Sequence, residues 1–518
     1  MSSQVGDLPQ NVEQLTALVR ELQAENAQLR SLLKGVTQQA FGARSERASV
    51  ILGEQGCLAL GDLAEVVGSA ANDDTAPSDP PARRRRGKRG LKALPAHLVR
   101  IEKYILPDNL DCACCSGALH PIGEDVSEAL DWVPAIIRVI RTVRPRYACR
   151  HCQDSVVQAP APQRAIPGSM VTTSTLAWMA TARYAWSIPL NRQIQMLAGQ
   201  GVILDRSTVS RWMAKVAWWV RPLYERLLAY IHRQPRIFCD ETRMPVLEKG
   251  RRRVRITQFW AHACDDRAWL GPAYPCVAYI HARGRGHDEA RTQLAGYCGT
   301  IQVDGYDAYK ALVRAGPTKD RIKLAFCLAH ARRKFVDAYR KSPSPVAAAI
   351  IALIGEVYAI EARIRGSKAE DRLLVRQNET AAVMAQIKAQ IDAVLAQLSP
   401  RSDLAKAMRY TRAHWAGLIR FLDDGRLEVD TNTVERGMRN VAQGRKSSLF
   451  AGSEAGAQAW AVLASLLQTA RLNGLDPYIW LNDVLERMVS GAVKINNLDQ
   501  LLPWNWVGAG DPAMGLAA

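Results

Sequence analysis

Leu8, Leu15, Leu22 and Leu29 recur every seven residues. With these at d, Val12, Val19, Asn26 and Leu33 fall at a, which predicts a coiled coil over residues 8–36. An Asn at one a position fixes register and favours a dimer, and Glu25 at g can pair with Arg30 at the following e. A solitary amphipathic helix packed on the chain's own core is the plainer alternative. The four heptads favour self-association, so residues 1–50 read as an oligomerisation segment.

The pattern then changes. Residues 69–100 are polar and Pro-rich, then basic, and predict an unfolded linker. Residues 101–165 are short segments broken by Pro, Gly and Cys. From Met170 to about Ile231 the period is helical. Within it, Leu190–Ala198 is followed by a Gly turn (Gly199, Gly201) and a second helix starting near Ser207. Apolar Val209, Trp212, Met213 and Val216 form its inner face, so residues 170–232 read as a helix–turn–helix. Ser207, Thr208, Ser210, Arg211 and Lys215 would then face a groove; an ordinary αα-hairpin is the alternative.

Residues 236–330 alternate strand-like and helical runs. RIFCDETRMPV reads as a strand ending in Asp240, and RITQFWAHAC and CVAYIHAR continue an antiparallel meander. HDEARTQLAGY is a helix, and GTIQVDGYDAY a strand carrying Asp304. AYKALVRAG is a helix, and IKLAFCLAHARRKF a buried strand turning into a basic helix. This β-β-β-α-β-α-β order predicts an RNase H-like sheet whose first and fourth strands are neighbours. Asp240 and Asp304 would then meet, and a later helix, NTVERGMRNVAQGRKSSLF, supplies Glu435.

Three carboxylates suit two Mg²⁺ ions (or Mn²⁺), hard cations that take oxygen ligands and support in-line phosphoryl displacement. Arg436, Arg439, Arg445 and Lys446 lie beside Glu435 and suit a DNA backbone. Each acid also has a plainer explanation. Asp304–Gly305 is turn chemistry, Asn432 to Glu435 reads as a capping box, and Glu241 is a rival to Asp240.

Residues 345–425 read as a helical insertion, and residues 457–518 as a helical C-terminal region. The longest apolar stretch, Val346–Ile360, is about 15 residues and contains Glu356, short of the ~20 a membrane span needs. MSSQVGDLPQ lacks a basic segment followed by an apolar one, so no secretory signal is expected. A cytoplasmic, nucleoid-associated protein follows, in which cysteines are thiols or metal ligands.

Cys112-x2-Cys115 and Cys149-x2-Cys152 form two knuckles, the donor set of a closed structural Zn²⁺ site. Cys114 and His151 read as bystanders. The intervening run IIRVIRTVRPRYA reads as a strand pair with Arg138, Arg141, Arg144 and Arg146 outward. Cys327-x2-His330 has ligand spacing too, but two ligands make no closed site, and burial at a strand end is the plainer reading.

Composition narrows the partner. The 518 residues, at roughly 150 per domain, suggest three or four domains and carry a net charge of +18, with 48% hydrophobic residues. A folded polycation implies a polyanionic partner. Residues 1–68 are net −3, so the coiled coil is not the DNA contact, while residues 233–518 hold +12. The linker run Arg83, Arg84, Arg85, Arg86, Lys88 and Arg89 is a phosphate-binding arm or a solvated tail.

Taken together, these motifs resemble the bacterial IS66-type insertion-sequence transposases along nearly the whole chain. The resemblance rests on the leucine-zipper segment with Phe41–Arg47 (FGARSER), the paired knuckles and the helix–turn–helix. It rests too on CDET at Cys239–Thr242, VDGY at Val303–Tyr306, CLAHARRKF at Cys327–Phe335, and the long motif Asn432–Gly456. It implies a DDE transposase with Asp240, Asp304 and Glu435 as its triad, in a catalytic domain over 233–456 with the insertion inside it. It assigns no clear role to Cys327 and His330. The third knuckle-region cysteine departs from the usual pattern and leaves Cys112 and Cys114 as alternatives.

The expected function is cleavage of the insertion-sequence ends and joining of the freed 3′-OH to target DNA by metal-dependent transesterification. Partners would be terminal inverted repeats and target DNA, a second copy of the chain or a higher oligomer, and accessory proteins encoded by the same element. Two rivals are a non-catalytic DNA-binding repressor, which leaves residues 233–518 unexplained, and an RNase H-like nuclease without strand transfer.

Overall fold

In the computed structural model the described residues are 137, 139–140, 146–148, 156–158, 161–248, 253–314 and 321–508. The coiled coil, the linker with Arg84, Arg85 and Arg86, and the knuckle residues Cys112, Cys115, Cys149 and Cys152 lie outside them. The chain divides into two compact units, one over residues 70–161 and one holding 162–518.

In the smaller unit, β1 (Arg146–Ala148) pairs antiparallel with β2 (Val156–Gln158), Arg146 opposite Gln158. The hairpin therefore brackets the second knuckle. The sequence reading had put both strands before it; Val139 and Ile140 are instead irregular and exposed.

The larger unit is mixed α/β, built on one five-stranded sheet. The strands are β3 (Arg236–Leu247), β4 (Val254–Cys264), β5 (Cys276–Ala282), β6 (Gly299–Val303) and β7 (Ile322–Phe326). β3, β4 and β5 form an antiparallel meander; β6 and β7 add in parallel on the other side of β3. The first and fourth strands of the sheet are thus neighbours. β3 does not end at Asp240. It continues to Leu247 because the hairpin with β4 extends to Leu247 opposite Val254, whereas its ladder with β6 stops at Phe238 opposite Gln302.

Before the sheet come α1 (Thr173–Tyr184), α2 (Leu190–Ala198) and the 27-residue α3 (Arg206–His232). α3 buries Val209, Trp212, Met213 and Val216 in the main core, as their spacing implies. α4 (His287–Gln293) and α5 (Asp307–Arg314) follow β5 and β6, and α6 (Leu328–Lys341) follows β7.

A second apolar core is made by the inserted helices α7 (Pro345–Ile364), α8 (Ala369–Val375), α9 (Ala381–Leu395), α10 (Asp403–Ala413) and α11 (Trp415–Leu418). Ile350, Ile354, Val357, Ile387 and Met408 fill it. Among the described residues α7 alone is long and apolar enough to cross a membrane by length and composition, more so than its sequence had suggested; its buried face lies in this core.

The chain returns to the sheet with α12 (Asn432–Ser448), α13 (Glu454–Leu472) and α14 (Pro477–Val489). α13 covers edge strand β5. Ser465 Oγ and Thr469 Oγ1, one helical turn apart, accept from the alternate amides of Tyr279 and Val277 at 2.7 and 3.2 Å. An edge that would otherwise template a foreign strand is thereby closed.

Candidate active site

Directly paired residues in a sheet point to the same face. Asp240 is opposite Ala261, which is opposite Tyr279, so all three share one face. The Tyr279 hydroxyl donates to the Gly437 carbonyl of α12 at 2.7 Å, so α12 covers that face. Extending the β3–β6 register by two residues sets Asp240 abreast of Asp304, beyond the end of β6. Glu435 sits two residues before Gly437 and is 5% exposed. Asp240 and Asp304 therefore lie at one end of the β3–β6 pair, and Glu435 is near enough to feel the charge of Asp304.

Asp304 is tightly held. Its Oδ1 accepts from the Tyr306 amide at 2.8 Å, and its backbone carbonyl accepts from the Tyr410 hydroxyl at 2.6 Å. Tyr410 belongs to α10, so the insertion reaches the site. Gly305 has a φ of +95°, and a Cβ there would lie 3.0 Å from both His414 Nε2 and the Tyr410 hydroxyl. Gly305→Ala is expected to destabilise the protein by about 1–3 kcal/mol and to displace Asp304. Gly201, with φ +83° but open space around it, is the control for backbone strain without a clash. Thermal midpoints falling equally for both alanine variants would refute the clash.

Glu241 points to the opposite face. It is opposite Trp260, whose ring meets that of Tyr309 of α5 at 5.7 Å. The Tyr309 hydroxyl donates to Glu241 Oε2 at 3.1 Å, and Arg285 donates twice to Oε1 at 2.9 and 2.6 Å. Arg285 also lies over the Tyr306 ring at 3.9 Å. Burial, then the charge of Asp304, pushes the Glu241 carboxyl up from 4.5 to about 7, against the pull of Arg285. The folded protein therefore binds this proton more tightly than the unfolded chain, and stability falls as pH rises from 4.5 through about 7. In Glu241→Gln that loss is expected to vanish. Denaturation midpoints across this range in divalent-free buffer check it, and an unchanged wild-type-to-variant difference would refute it.

Glu435 is not a capping-box residue. α12 starts at Asn432 after an N-cap at Thr431, and the Glu435 carboxylate accepts from the Thr431 hydroxyl at 3.1 Å instead of from an amide. Burial holds the Glu435 carboxyl above its ordinary range; Asp430 and Asp304 add to this, while His330 and Thr431 oppose it. His330 Nδ1 lies 3.8 Å from Glu435 Oε1. Cys327 is the N-cap of α6 and fully buried. The reading of Cys327 as a buried strand-end residue holds for its position, but the fold also sets it beside Glu435.

In donor chemistry the carboxylate set suits a hard divalent cation. Asp240, Asp304 and Glu435 offer oxygen donors only. The carboxyls of Glu435 and Glu241 are raised partly by the charge of Asp304, a repulsion that a bound cation relieves.

The sequence-derived DNA contacts fall on two surfaces. On α3, Ser207, Ser210 and Arg211 are exposed and Thr208 and Lys215 half-buried, with Arg211 donating to Thr208 at 3.3 Å and Lys215 over the exposed Trp218 ring at 3.7 Å. On α12, Arg436 and Lys446 are exposed and Arg439 half-buried. Arg445 is engaged with β3, donating to Thr242 Oγ1 at 3.3 Å and to the Arg243 carbonyl. It braces β3 against α12.

Arg285, Tyr306, Tyr309 and Tyr410 are site residues that sequence reasoning missed. Tyr306 and Tyr309 follow Asp304 at short range, a signal that could have been read. Tyr410 carries none.

Comparison with known proteins places these observations in a lineage. Residues 168–459 match the model of the transposase IS66 family. Residues 110–153 match the zinc-finger binding domain of transposase IS66, and 465–504 the IS66 C-terminal element. Residues 28–102 match the model described as transposase C of IS166 homeodomain. The chain is 52% identical over 510 residues to the uncharacterized protein y4jD of Sinorhizobium fredii (strain NBRC 101917 / NGR234), covering 98% of each. It is 38% identical over 501 residues to y4qI of the same organism, covering 96% of this chain and 92% of the relative. For y4hP of that organism the identity is 32% over 495 residues, covering 92% and 88%.

Proposed function

The chain belongs to the IS66 transposase family, and from that premise we propose that it cleaves insertion-sequence ends and joins them to target DNA at a centre formed by Asp240, Asp304 and Glu435. What supports this reading is the sheet register: continued two residues past the Phe238–Gln302 pair it sets Asp240 abreast of Asp304, and α12, which bears Glu435, covers the face of Asp240. The reading takes the five-stranded sheet as RNase H-like, with residues 345–425 as its insertion.

Asp240, Asp304 and Glu435 would hold two Mg²⁺ or Mn²⁺ ions, which when bound activate an attacking oxygen and stabilise a leaving one. The protein's own task is positioning. Tyr306 and Tyr410 fix the loop that presents Asp304. Thr431 orients Glu435, and Arg445 ties α12 to β3. Glu241, turned to the other face and neutralised by Arg285, stays out of the oxygen-donor set and supports β3 from behind.

Arg436 and Lys446 are exposed on the same helix as Glu435, where they would meet the phosphates of the reacting strand. The N-terminal half of α3 would read the terminal repeats, together with the zinc domain held by Cys112, Cys115, Cys149 and Cys152 and the arm at Arg84–Arg86. The coiled coil would pair two copies so that two ends are held together. The Glu241 arrangement favours Asp240 over its neighbour as the carboxylate of the centre.

The test uses the full chain, Mg²⁺ and labelled DNA carrying the inverted repeats that flank the reading frame. The expected products are a 3′-OH at the element end and a strand joined to target DNA. Cleavage without joined product would replace this reading with a nuclease. End-specific binding without any cleavage would replace it with a repressor.

A further inference from the structure

The turn from β7 into α6 places Cys327 at the helix N-cap and His330 one turn along the same helix. α12 brings Glu435 across to them. One ligand atom from each, Sγ, a ring nitrogen and a carboxylate oxygen, lies within 4.8 Å of the other two.

The surroundings are those of a metal site. Cys327 is 1% exposed and Glu435 5%. Thr431 reaches two of the three donors: its amide donates to Cys327 Sγ at 3.4 Å and its hydroxyl to Glu435 at 3.1 Å. Hydrogen bonds of this kind to ligand atoms, supplied by one anchored residue, are how proteins orient metal ligands. Thr431 is itself 2% exposed and fixed by the start of α12.

The donor chemistry separates this set from the all-oxygen set at Asp240 and Asp304. Thiolate and imidazole select a borderline-soft cation, whereas Mg²⁺ demands oxygen. Three protein ligands leave a fourth position for water or a phosphate oxygen, unlike the closed four-cysteine knuckle.

We propose that Cys327, His330 and Glu435 form a second metal site, selective for Zn²⁺, that locks the Glu435 carboxylate in place at the edge of the catalytic centre. Cys327 and His330 are then positioning residues. The existence of the site is independent of the transposase reading; only its role rests on it.

The experiment measures metal content on the purified full chain, without DNA. Zinc per chain is determined after dialysis for wild type, Cys327→Ser and His330→Asn, and the absorption of Co²⁺-substituted protein is recorded for each. Wild type is expected to hold one more zinc than either variant, and the thiolate-to-cobalt charge-transfer band to weaken in Cys327→Ser. The knuckle zinc is common to all three proteins and cancels. His330→Asn guards against a packing defect from the buried cysteine, and a single cooperative thermal transition in each protein establishes folding, with the variants' midpoints lowered by loss of the bound zinc. Equal zinc content and superimposable cobalt spectra in all three proteins would overturn the proposal. A change in zinc content with no strand transfer by wild type would leave the metal site standing and refute the transposase reading alone.

Discussion

Asp304→Asn, Asp240→Ala and Glu435→Gln are each expected to lower end cleavage and strand transfer by roughly 10³-fold or more, because each removes a charged oxygen donor from a centre that works as a unit. Asp304→Asn is the most informative. The asparagine carbonyl oxygen can still accept from the Tyr306 amide, now at 2.8 Å, and Tyr410 bonds the backbone carbonyl, which is unchanged. The loop is therefore retained and only the charge is lost. Removing that charge also relieves Glu241 and Glu435, whose carboxyls it raises, so the variant is expected to be at least as stable as wild type without divalent cations. Denaturant midpoints and strand-transfer rates measured side by side check both. Full activity in any of the three variants would contradict the assignment of that residue.

The second large effect is on stability. Arg376 is fully buried at the start of one turn of π-helix, Arg376–Thr380. Its guanidinium bonds both oxygens of Glu361 at 2.7 Å and the carbonyls of Phe421, Asp424 and Leu427 at 3.2, 3.2 and 2.9 Å. Arg372, equally buried, bonds Glu428 at 2.8 Å. Arg376→Ala leaves a buried carboxylate short of its main partner and three carbonyls without this donor, and is expected to cost about 3–5 kcal/mol. Replacing Glu361 and Arg376 together by methionine removes both charges and is expected to cost less than the single change. Urea denaturation measures the difference, and a loss below about 1 kcal/mol for Arg376→Ala would refute the estimate.

This network also bears on the site. Glu428 exchanges backbone hydrogen bonds with the Gln302 side chain at 2.7 and 3.1 Å, and the Leu328 amide donates to the Val429 carbonyl at 2.9 Å. The segment leading into α12 is thus stitched to β6 and to the start of α6. The insertion supports the placement of Glu435 through this segment, and it supports Asp304 through Tyr410.

Much of this was legible in the sequence. Alternating apolar residues marked the strands, and the likeness of their order to an RNase H-like sheet predicts the pairing of β3 with β6 that the sheet shows. The Gly turn between α2 and α3 was equally plain. Glu435 was different: nothing in its local pattern sets it apart from a helix-start residue, and it was singled out as the third acid that an RNase H-like order leaves to a later helix, and by the family motif. The length of β3 beyond Asp240 was hidden because its far half pairs only with β4 and the segment after α12, at Val246 and Ala451. The burial of Arg372 and Arg376 carries no signal in the sequence, since it is decided by partners more than 10 residues away. The approach of Glu435 to Cys327 and His330 depends on how α12 crosses α6, which no spacing encodes.

Asp240, Asp304 and Glu435 are expected to hold the same catalytic cations. Protein loaded with Fe²⁺ in place of Mg²⁺ and treated with ascorbate and peroxide tests it directly, since radicals cut the backbone beside the bound iron. Scission is predicted near all three residues, suppressed by excess Mg²⁺ and lost in Asp240→Asn. Scission confined to other segments, or unaffected by Mg²⁺, would show that the three acids do not share a cation.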